Sequence, residues 1–346
     1  MKLLALIVCA ACVAHVRPAG AQSITAEAAV TGGYSTDEAT AAAVQARLFG
    51  DVHGVRFFGE VAWANRWLSD SDHETDSFNA AYPYSNQVQA IEAYGERLFR
   101  PRGQLLGLRG GRFRTPFGIY NGSDHAYSGF LRAPLVRYEE YAPVANTFLE
   151  NGADLVVGTP RLTVETAIAA PGDVGEIVRR SGVDGVVRVQ GYFGPFIAGA
   201  SYMTAPLAEG SLAAEGRNHA AGIDIRWMHA GVQLRGEWIS GRPFGEKKST
   251  GWYADALIHR TMMGPVTAVV RVERLDFAER ETGSEEYLSR QTAGVRINVA
   301  GGIALQLNVL HQSGDADYLP HAVDVAVTWS VRKPWKPGKP GEPGEP

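Results

Sequence analysis

The chain is poor in cysteine: it has 346 residues, and only Cys9 and Cys12 are cysteines. Both lie in an amino-terminal segment that we expect to be cleaved, so the mature protein would contain none. Disulfide bonds, thiolate nucleophiles and cysteine-ligated metals are thereby excluded from the mature protein. A chain of this length must then be held together by other interactions.

Long apolar runs are also missing. After residue 21, no stretch approaches the roughly eighteen consecutive apolar residues that a membrane helix needs. Hydrophobic residues nevertheless make up 45% of the chain and aromatic residues 10%, and there are 40 glycines. For an exported chain without membrane helices this composition favours a closed β-barrel, because a barrel satisfies every backbone hydrogen bond between its strands.

Motifs of catalysis are absent as well. The sequence contains no G-x-S-x-G, no H-E-x-x-H and no G-x-x-x-x-G-K-[ST] motif, so we expect no enzymatic activity and no catalytic residues. Four histidines of the second half are scattered without the spacing of metal ligands, and we expect neither a metal site nor a cofactor. These histidines are His219, His259, His311 and His321.

The amino terminus has the pattern of a secretory signal peptide. Lys2 provides the positive charge, residues 3–13 form a short apolar run, and residues 19–21 (AGA) form a small-residue cleavage site. Cleavage before Cys12, as in a lipoprotein, is the alternative. Removal of Lys2 and Arg17 leaves 31 basic against 37 acidic residues, and this acidic balance argues against a nucleic-acid partner.

Hydrophobic and polar residues alternate with a period of two along much of the remaining chain. Residues 55–67 (VRFFGEVAWANRW) place Val61 and Trp63 on one parity and Glu60 on the other. The same alternation recurs at 232–238, 295–299 and 323–331. It predicts strands with one apolar face and one polar face.

The links between candidate strands are alternately short and long, which is typical of an outer-membrane barrel with tight turns at one rim and long loops at the other. The expected strand starts are Ile24, Ala42, Val55, Val88, Gln104, Gly152, Leu162, Gly182, Phe196, His219, Gly231, Gly251, Pro265, Tyr287, Ile303 and Ala322. This makes about sixteen strands, an even number in the size class that leaves a water-filled channel.

The segment 104–118 (QLLGLRGGRFRTPFG) changes its pattern partway along. Two leucines occupy one parity first, and Arg112 and Arg114 occupy the same parity later. A continuous strand would then place arginine in lipid, at a cost of about 2–4 kcal/mol each at the bilayer midplane. We therefore predict a β-bulge at residues 110–111 (GG) that turns Arg109, Arg112 and Arg114 toward the lumen.

Residues 110–118 (GGRFRTPFG) resemble the strand-to-loop segment of the phosphate-selective porin O/P family of Gram-negative outer membranes. The long link 119–148 is similar in position and length to the third loop of general porins. Membership would imply a transmembrane antiparallel β-barrel of sixteen strands, an inward-folding third loop and a homotrimeric anion channel in contact with the lipid bilayer and lipopolysaccharide. The sequence departs from the family in mixing acidic with basic residues on the lumenal parity.

Eight charged residues are candidates for the pore constriction. Arginine rings favour anions, guanidinium groups suit bidentate contact with phosphate, and opposing carboxylates would set a transverse field. The alternative is that these charges pair across neighbouring strands only to hold the wall together. The anion-facing candidates are Arg109, Arg112, Arg114, Arg132 and Arg137, and the opposing acidic candidates are Asp124, Glu139 and Glu140.

The sequence thus predicts a signal peptide (1–21), a transmembrane barrel (22–332) and a Pro/Gly-rich tail (333–346) that cannot be a strand. The expected function is passive diffusion of small hydrophilic solutes across a Gram-negative outer membrane, with a preference for anions such as phosphate. The alternative is a structural or adhesive outer-membrane barrel with a plugged lumen and ligand-binding extracellular loops.

Overall fold

The computed structural model describes most of the chain beyond residue 20. The described residues are 21–36, 40–64, 87–119, 129–138, 141–174, 178–211, 213, 215–245, 247–259, 265–278, 284–315 and 320–335. The expected signal peptide lies outside them except for Ala21, and so does the tail beyond residue 335. The acidic candidates Asp124, Glu139 and Glu140 also lie outside the described residues.

The described residues form sixteen β-strands that close into one antiparallel barrel, so the predicted fold is confirmed. Each strand pairs with its neighbours in sequence, and β1 pairs with β16. Every strand begins within three residues of its predicted start. Among the described residues, no helix is both long and apolar enough to cross a membrane. The strands are β1 (Ala21–Ser35), β2 (Thr40–Val52), β3 (Val55–Ala64), β4 (Gln89–Phe99), β5 (Leu105–Arg114), β6 (Leu149–Gly158), β7 (Leu162–Pro171), β8 (Asp184–Phe193), β9 (Phe196–Pro206), β10 (Arg217–His229), β11 (Val232–Gly241), β12 (Ser249–Ile258), β13 (Val266–Ala278), β14 (Glu285–Val299), β15 (Ile303–Gly314) and β16 (His321–Trp335).

The period of two separates an apolar outer face from a polar inner face. In β15, exposed and buried residues alternate along nearly the whole strand. Leu307 and Val309 point outward and are 41% and 51% exposed, whereas Gln306 and Asn308 point inward and are buried. The barrel therefore presents hydrocarbon to the membrane and polar groups to its lumen.

Most connections at one rim of the barrel are short, and most at the other rim are long. The turn between β2 and β3 has His53 at φ 53° and Gly54 at φ 79°, the left-handed pair that a type I′ hairpin requires. Strands β3, β5 and β7 end at the opposite rim, and the sequence between each of them and the next strand is longer. We call these ends the short-turn rim and the long-loop rim; outer-membrane barrels direct the first toward the periplasm.

The register of β5 contradicts the predicted bulge at residues 110–111. Both neighbouring strands pair with β5 without a register shift. The irregularity lies one strand earlier, where Ile91 of β4 is an extra residue opposite β3. Gly111 has a φ of +132°, and an added Cβ would lie 2.8 Å from the Cα of Tyr94. The glycine thus permits close approach of two backbones, while β4 supplies the extra residue.

The last strand extends further than the sequence predicts. β16 ends at Trp335, so the first three residues of the expected tail, from Lys333, belong to the strand. Its pairing with β15 stops at Trp329, whereas its pairing with β1 continues to the end of the strand. The final residues are therefore paired on one side only, and an edge strand tolerates a proline such as Pro334.

Candidate functional site in the barrel lumen

The link 115–148 folds inward, as predicted, and is fixed to the barrel wall by ion pairs. A short 3₁₀ turn, Leu135–Arg137, lies near the middle of the described part of this link. The Arg137 guanidinium donates to Glu237 of β11 at 2.6 Å, and the Arg132 guanidinium donates to Asp324 of β16 at 2.8 Å. We call this segment the inward loop.

Strands β13 to β15 donate further hydrogen bonds to the backbone of the inward loop. The Arg271 guanidinium donates to the carbonyl oxygen of Arg132 at 3.0 Å, and that of Arg290 donates to the carbonyl oxygen of Ala133. The side-chain amide of Asn308 donates to the carbonyl oxygen of Gly129 at 3.0 Å. The loop is thus docked along the wall from β11 to β16.

Arg132 and Arg137 are anchors of the inward loop and do not face the pore, contrary to the prediction. Their exposed fractions are 3% and 0%. Arg137 also donates to the carbonyl oxygens of Phe117 and Val144, at 3.1 and 3.2 Å. The expected inward-folding loop placed both residues in the lumen, but the sequence did not reveal that wall carboxylates would neutralise them there.

Between the inward loop and the opposite wall lies a cavity of about 570 Å³. Its wall residues come from β1 to β5, β7, β8 and β10, and its loop residues are Thr115–Ile119. Charged side chains of both signs line it. They are the arginines Arg47, Arg109, Arg114, Arg188 and Arg226 and the glutamates Glu27, Glu60, Glu92 and Glu165.

Arg109 lines this cavity, as predicted, but carboxylates surround its guanidinium. It donates to Asp154 of β6 at 3.0 Å and also bonds Glu165 of β7. Its cationic carbon lies 5.3 Å from the ring centroid of Tyr94 and 4.7 Å from that of Phe113. The arginine is fixed in position by charge pairing and by cation–π contact.

Arg114 also reaches the cavity and belongs to a second ion-pair network. Its guanidinium lies 3.3 Å from Glu60 of β3 and 3.4 Å from Glu92 of β4. Arg47 of β2 binds the other oxygen of Glu60 at 3.1 Å. Four adjacent strands are therefore joined through two arginines and two glutamates, as the cross-strand alternative anticipates.

Arg112 lies on the outer face of the barrel, so the prediction that it lines the lumen is wrong. It is paired in register with Ala93 and Asn151, both exposed on that face. Its guanidinium donates to the carbonyl oxygen of Ala90 at 2.7 Å and to the Asn151 amide oxygen at 3.4 Å. The prediction assumed the free-energy cost of an arginine that faces lipid at the bilayer midplane. That cost falls to about 0–1 kcal/mol near the membrane interface, where β5 ends.

A third charge group lies across the cavity, on β8 and β10. Arg188 donates to both carboxylate oxygens of Asp224 at 3.1 Å. Gly199 of β9 lies between them, and a Cβ there would come within 2.5 Å of Asp224 Oδ2. The missing side chain leaves room for an ion pair that spans an intervening strand.

Arg226 differs from the other arginines of the cavity. Its buried Nε has no hydrogen-bond partner among the described residues. The buried Asp224, two residues earlier on the same face of β10, is bound instead by Arg188. The register neighbour of Arg226 on β11 is Arg235, which is itself held by Asp255 at 2.8 Å. Parity places Arg226 in the lumen, but the sequence carries no signal that its Nε lacks a partner among the described residues.

At the long-loop rim, Arg179 fastens the link between β7 and β8 to the base of the inward loop. It binds Glu150 and Asp184 at 3.0 Å each and also bonds Asp173. Its guanidinium carbon lies 4.5 Å from the ring centroid of Phe148. Burial alone would lower the pKa of Arg179, but the three carboxylates outweigh burial and raise that pKa above its ordinary value.

Within the part of the chain that the structure describes, no group of three or more His, Cys, Asp or Glu side chains is arranged to hold a metal ion. The lumenal carboxylates are instead bound to arginines.

No protein-family profile and no curated protein sequence matches the chain. Solved structures do resemble it. OmpF of Salmonella typhi in complex with daunomycin is 12% identical, with a TM-score of 0.59 over 91% of this chain and 99% of that one. An anion-selective porin from Comamonas acidovorans is 14% identical, with a TM-score of 0.59 over 90% and 100%. OmpT of Vibrio cholerae in trimer form is 10% identical, with a TM-score of 0.55 over 89% and 98%. The chain has the fold of these bacterial outer-membrane proteins.

Proposed function

We propose that the protein is an outer-membrane porin, a channel for passive diffusion of small hydrophilic solutes, and not an enzyme. The observation that supports this most is the charged cavity beside the docked inward loop. Sixteen-stranded barrels are wide enough to hold water, and a loop against one wall narrows the lumen without filling it. The Gram-negative outer membrane is the compartment that such a barrel occupies.

The proposed ion preference is a weak preference for anions. Five arginines and four glutamates line the cavity, and buried Asp154 and Asp224 offset two of the arginines. These six carboxylates outnumber the five arginines, so the net charge of the cavity does not by itself favour anions, and the proposed preference rests on the placement of one arginine. Arg226 is the lining arginine whose buried Nε has no hydrogen-bond partner among the described residues, and its guanidinium suits phosphate or carboxylate groups.

Liposome swelling tests the channel itself. Protein in liposomes should admit sugars and amino acids at rates that fall with solute size, because the inward loop leaves a narrow aqueous passage. The control is the same liposome preparation without protein. Folded protein that admits none of these solutes would overturn the proposal.

Ion preference is tested by replacing Arg226 with glutamine. Loss of a unit charge at about 7 Å changes the energy of an ion in water by roughly 0.6 kcal/mol, about a threefold change in permeability ratio. Reversal potentials in a salt gradient should shift by that amount toward cation preference. Arg112→Gln is the matched control, because Arg112 lies on the outer face and should leave the ratio unchanged. Equal shifts in both variants would refute the assignment to Arg226.

The proposed partners are the bilayer, lipopolysaccharide and two further copies of the chain. Trimerisation is suggested by the trimer form of the structurally similar OmpT. The second candidate function, a plugged adhesive barrel, is favoured by the docking of the inward loop against β11 to β16. It predicts a folded protein that is closed to every solute in the swelling assay.

A further inference from the structure

Two histidines face each other at the long-loop rim, on the outside of the barrel. His311 of β15 and His321 of β16 are direct register partners across the last hairpin. Both are exposed, and they share the outward parity of Val309 and Val325. Neither residue contributes to the lumen, so the proposed channel does not use them.

The two imidazole rings are stacked, with centroids 4.8 Å apart and an interplanar angle of 27°. The two Nδ1 atoms are 3.3 Å apart. The carbonyl oxygen of Pro320 lies 3.0 Å from the His311 Nδ1. Because a carbonyl oxygen only accepts, that contact places a hydrogen on His311 Nδ1, which the His321 Nδ1 lone pair can share.

The 3.3 Å separation of the two Nδ1 atoms matches the spacing of two nitrogen ligands on one metal ion. Nitrogens bound at roughly 2.0–2.1 Å around a tetrahedral ion lie about 3.3–3.4 Å apart. The strand pairing fixes both backbones. Because the rings are stacked, each must rotate about its Cβ–Cγ bond, a torsion that is broad for histidine, to direct its Nδ1 lone pair at a common ion. Since the rings are exposed, His311 can exchange its Nδ1 hydrogen for one on Nε2 through solvent.

We propose that His311 and His321 form a binding site for a divalent transition-metal ion at the outer surface of the barrel. The two Nδ1 atoms are its ligands, and water together with the Pro320 carbonyl oxygen completes the coordination shell. Gln291 is the register neighbour of His311 on β14 and adds an amide oxygen to the same outward row.

Imidazole ligands select the metal class. They suit copper, nickel and zinc, with Cu²⁺ binding more tightly than Zn²⁺, whereas Ca²⁺ and Mg²⁺ prefer oxygen ligands.

The sequence alone did not reveal the site. His311 and His321 are ten residues apart, and only the register of the β15–β16 hairpin brings them together.

Copper titration of the full mature protein in detergent micelles tests the proposal. Electron paramagnetic resonance of the tightest Cu²⁺ complex should show splitting from two nitrogens. Substitution of even an outer-shell partner typically weakens metal binding about 10–100-fold, so His311→Gln and His321→Gln should each weaken that complex at least about tenfold. Excess Ca²⁺ should not displace the copper.

His229→Gln is the matched control, because His229 is an exposed histidine at the end of β10, on the short-turn rim. It should bind copper as the unmodified protein does. Heat-dependent mobility in gels confirms that each variant is a folded barrel. The proposal is overturned if either histidine variant keeps the affinity and the two-nitrogen spectrum, or if His229→Gln removes them.

Discussion

The Arg137–Glu237 ion pair should decide whether the inward loop stays docked. Both side chains are fully buried, and their charged atoms are 2.6 Å apart. Glu237→Ala leaves the Arg137 guanidinium buried without its counter-charge, and breaking a buried pair in this way costs about 3–5 kcal/mol. This corresponds to a shift of roughly two to three and a half orders of magnitude toward the undocked loop, since about 1.4 kcal/mol is a factor of ten.

Single-channel recording measures the consequence. In Glu237→Ala the loop should leave the wall part of the time, giving conductance steps that are more variable than those of the unmodified protein. Limited proteolysis should cut the inward loop more readily in the variant. Both changes follow from one lost counter-charge in a buried site.

The double variant Arg137→Met/Glu237→Leu separates charge from contact. It removes both charges while keeping side chains of similar volume, which is often neutral or stabilising for a buried pair. Recovery should be partial, because the carbonyl oxygens of Phe117 and Val144 lose their donor. If Glu237→Ala behaves like the unmodified protein, or if the double variant is as disturbed as the single one, the reasoning is refuted.

Three further substitutions test individual features of the structure. Gly118→Ala should disturb the Arg137–Glu237 ion pair, because Gly118 has a φ of +64° and an added Cβ would lie 2.5 Å from Arg137 Nη2. The proteolysis pattern of this variant should match that of Glu237→Ala rather than that of the unmodified protein. Arg179→Gln leaves three buried carboxylates without their cation, so the link between β7 and β8 should become protease-sensitive, and resistance equal to that of the unmodified protein would contradict the role of Arg179. Gly111→Ala should destabilise the barrel by a few kcal/mol in denaturant unfolding, since its φ of +132° and the nearby Tyr94 backbone exclude a side chain, whereas Gly110→Ala, with open space around it, should have little effect.

The strands could be predicted from the sequence because a membrane barrel imposes a local rule. Each outward position must be apolar, so Leu307 and Val309 alternate visibly with Gln306 and Asn308. Turn signals such as Gly54 and Gly231 then mark the short-turn rim. These signals are contained within a few residues, which explains why the strand starts were placed closely.

The site was predicted less well because its geometry depends on residues far apart in the chain. Arg137 is neutralised by Glu237, a hundred residues later, and Arg132 by Asp324. Arg112 points outward because β5 continues through its two glycines without a register shift, which the sequence pattern did not reveal. Strand parity and an inward-folding loop identify candidate lumenal arginines, but only tertiary pairing separates an anchor such as Arg137 from an arginine such as Arg226, whose Nε has no partner among the described residues.

Conductance of the purified protein in a planar bilayer tests the central claim most directly. A water-filled passage beside the docked loop predicts stable unitary steps whose size increases with salt concentration. Folded protein that inserts into the bilayer but gives no conductance at any voltage or salt concentration would contradict the account.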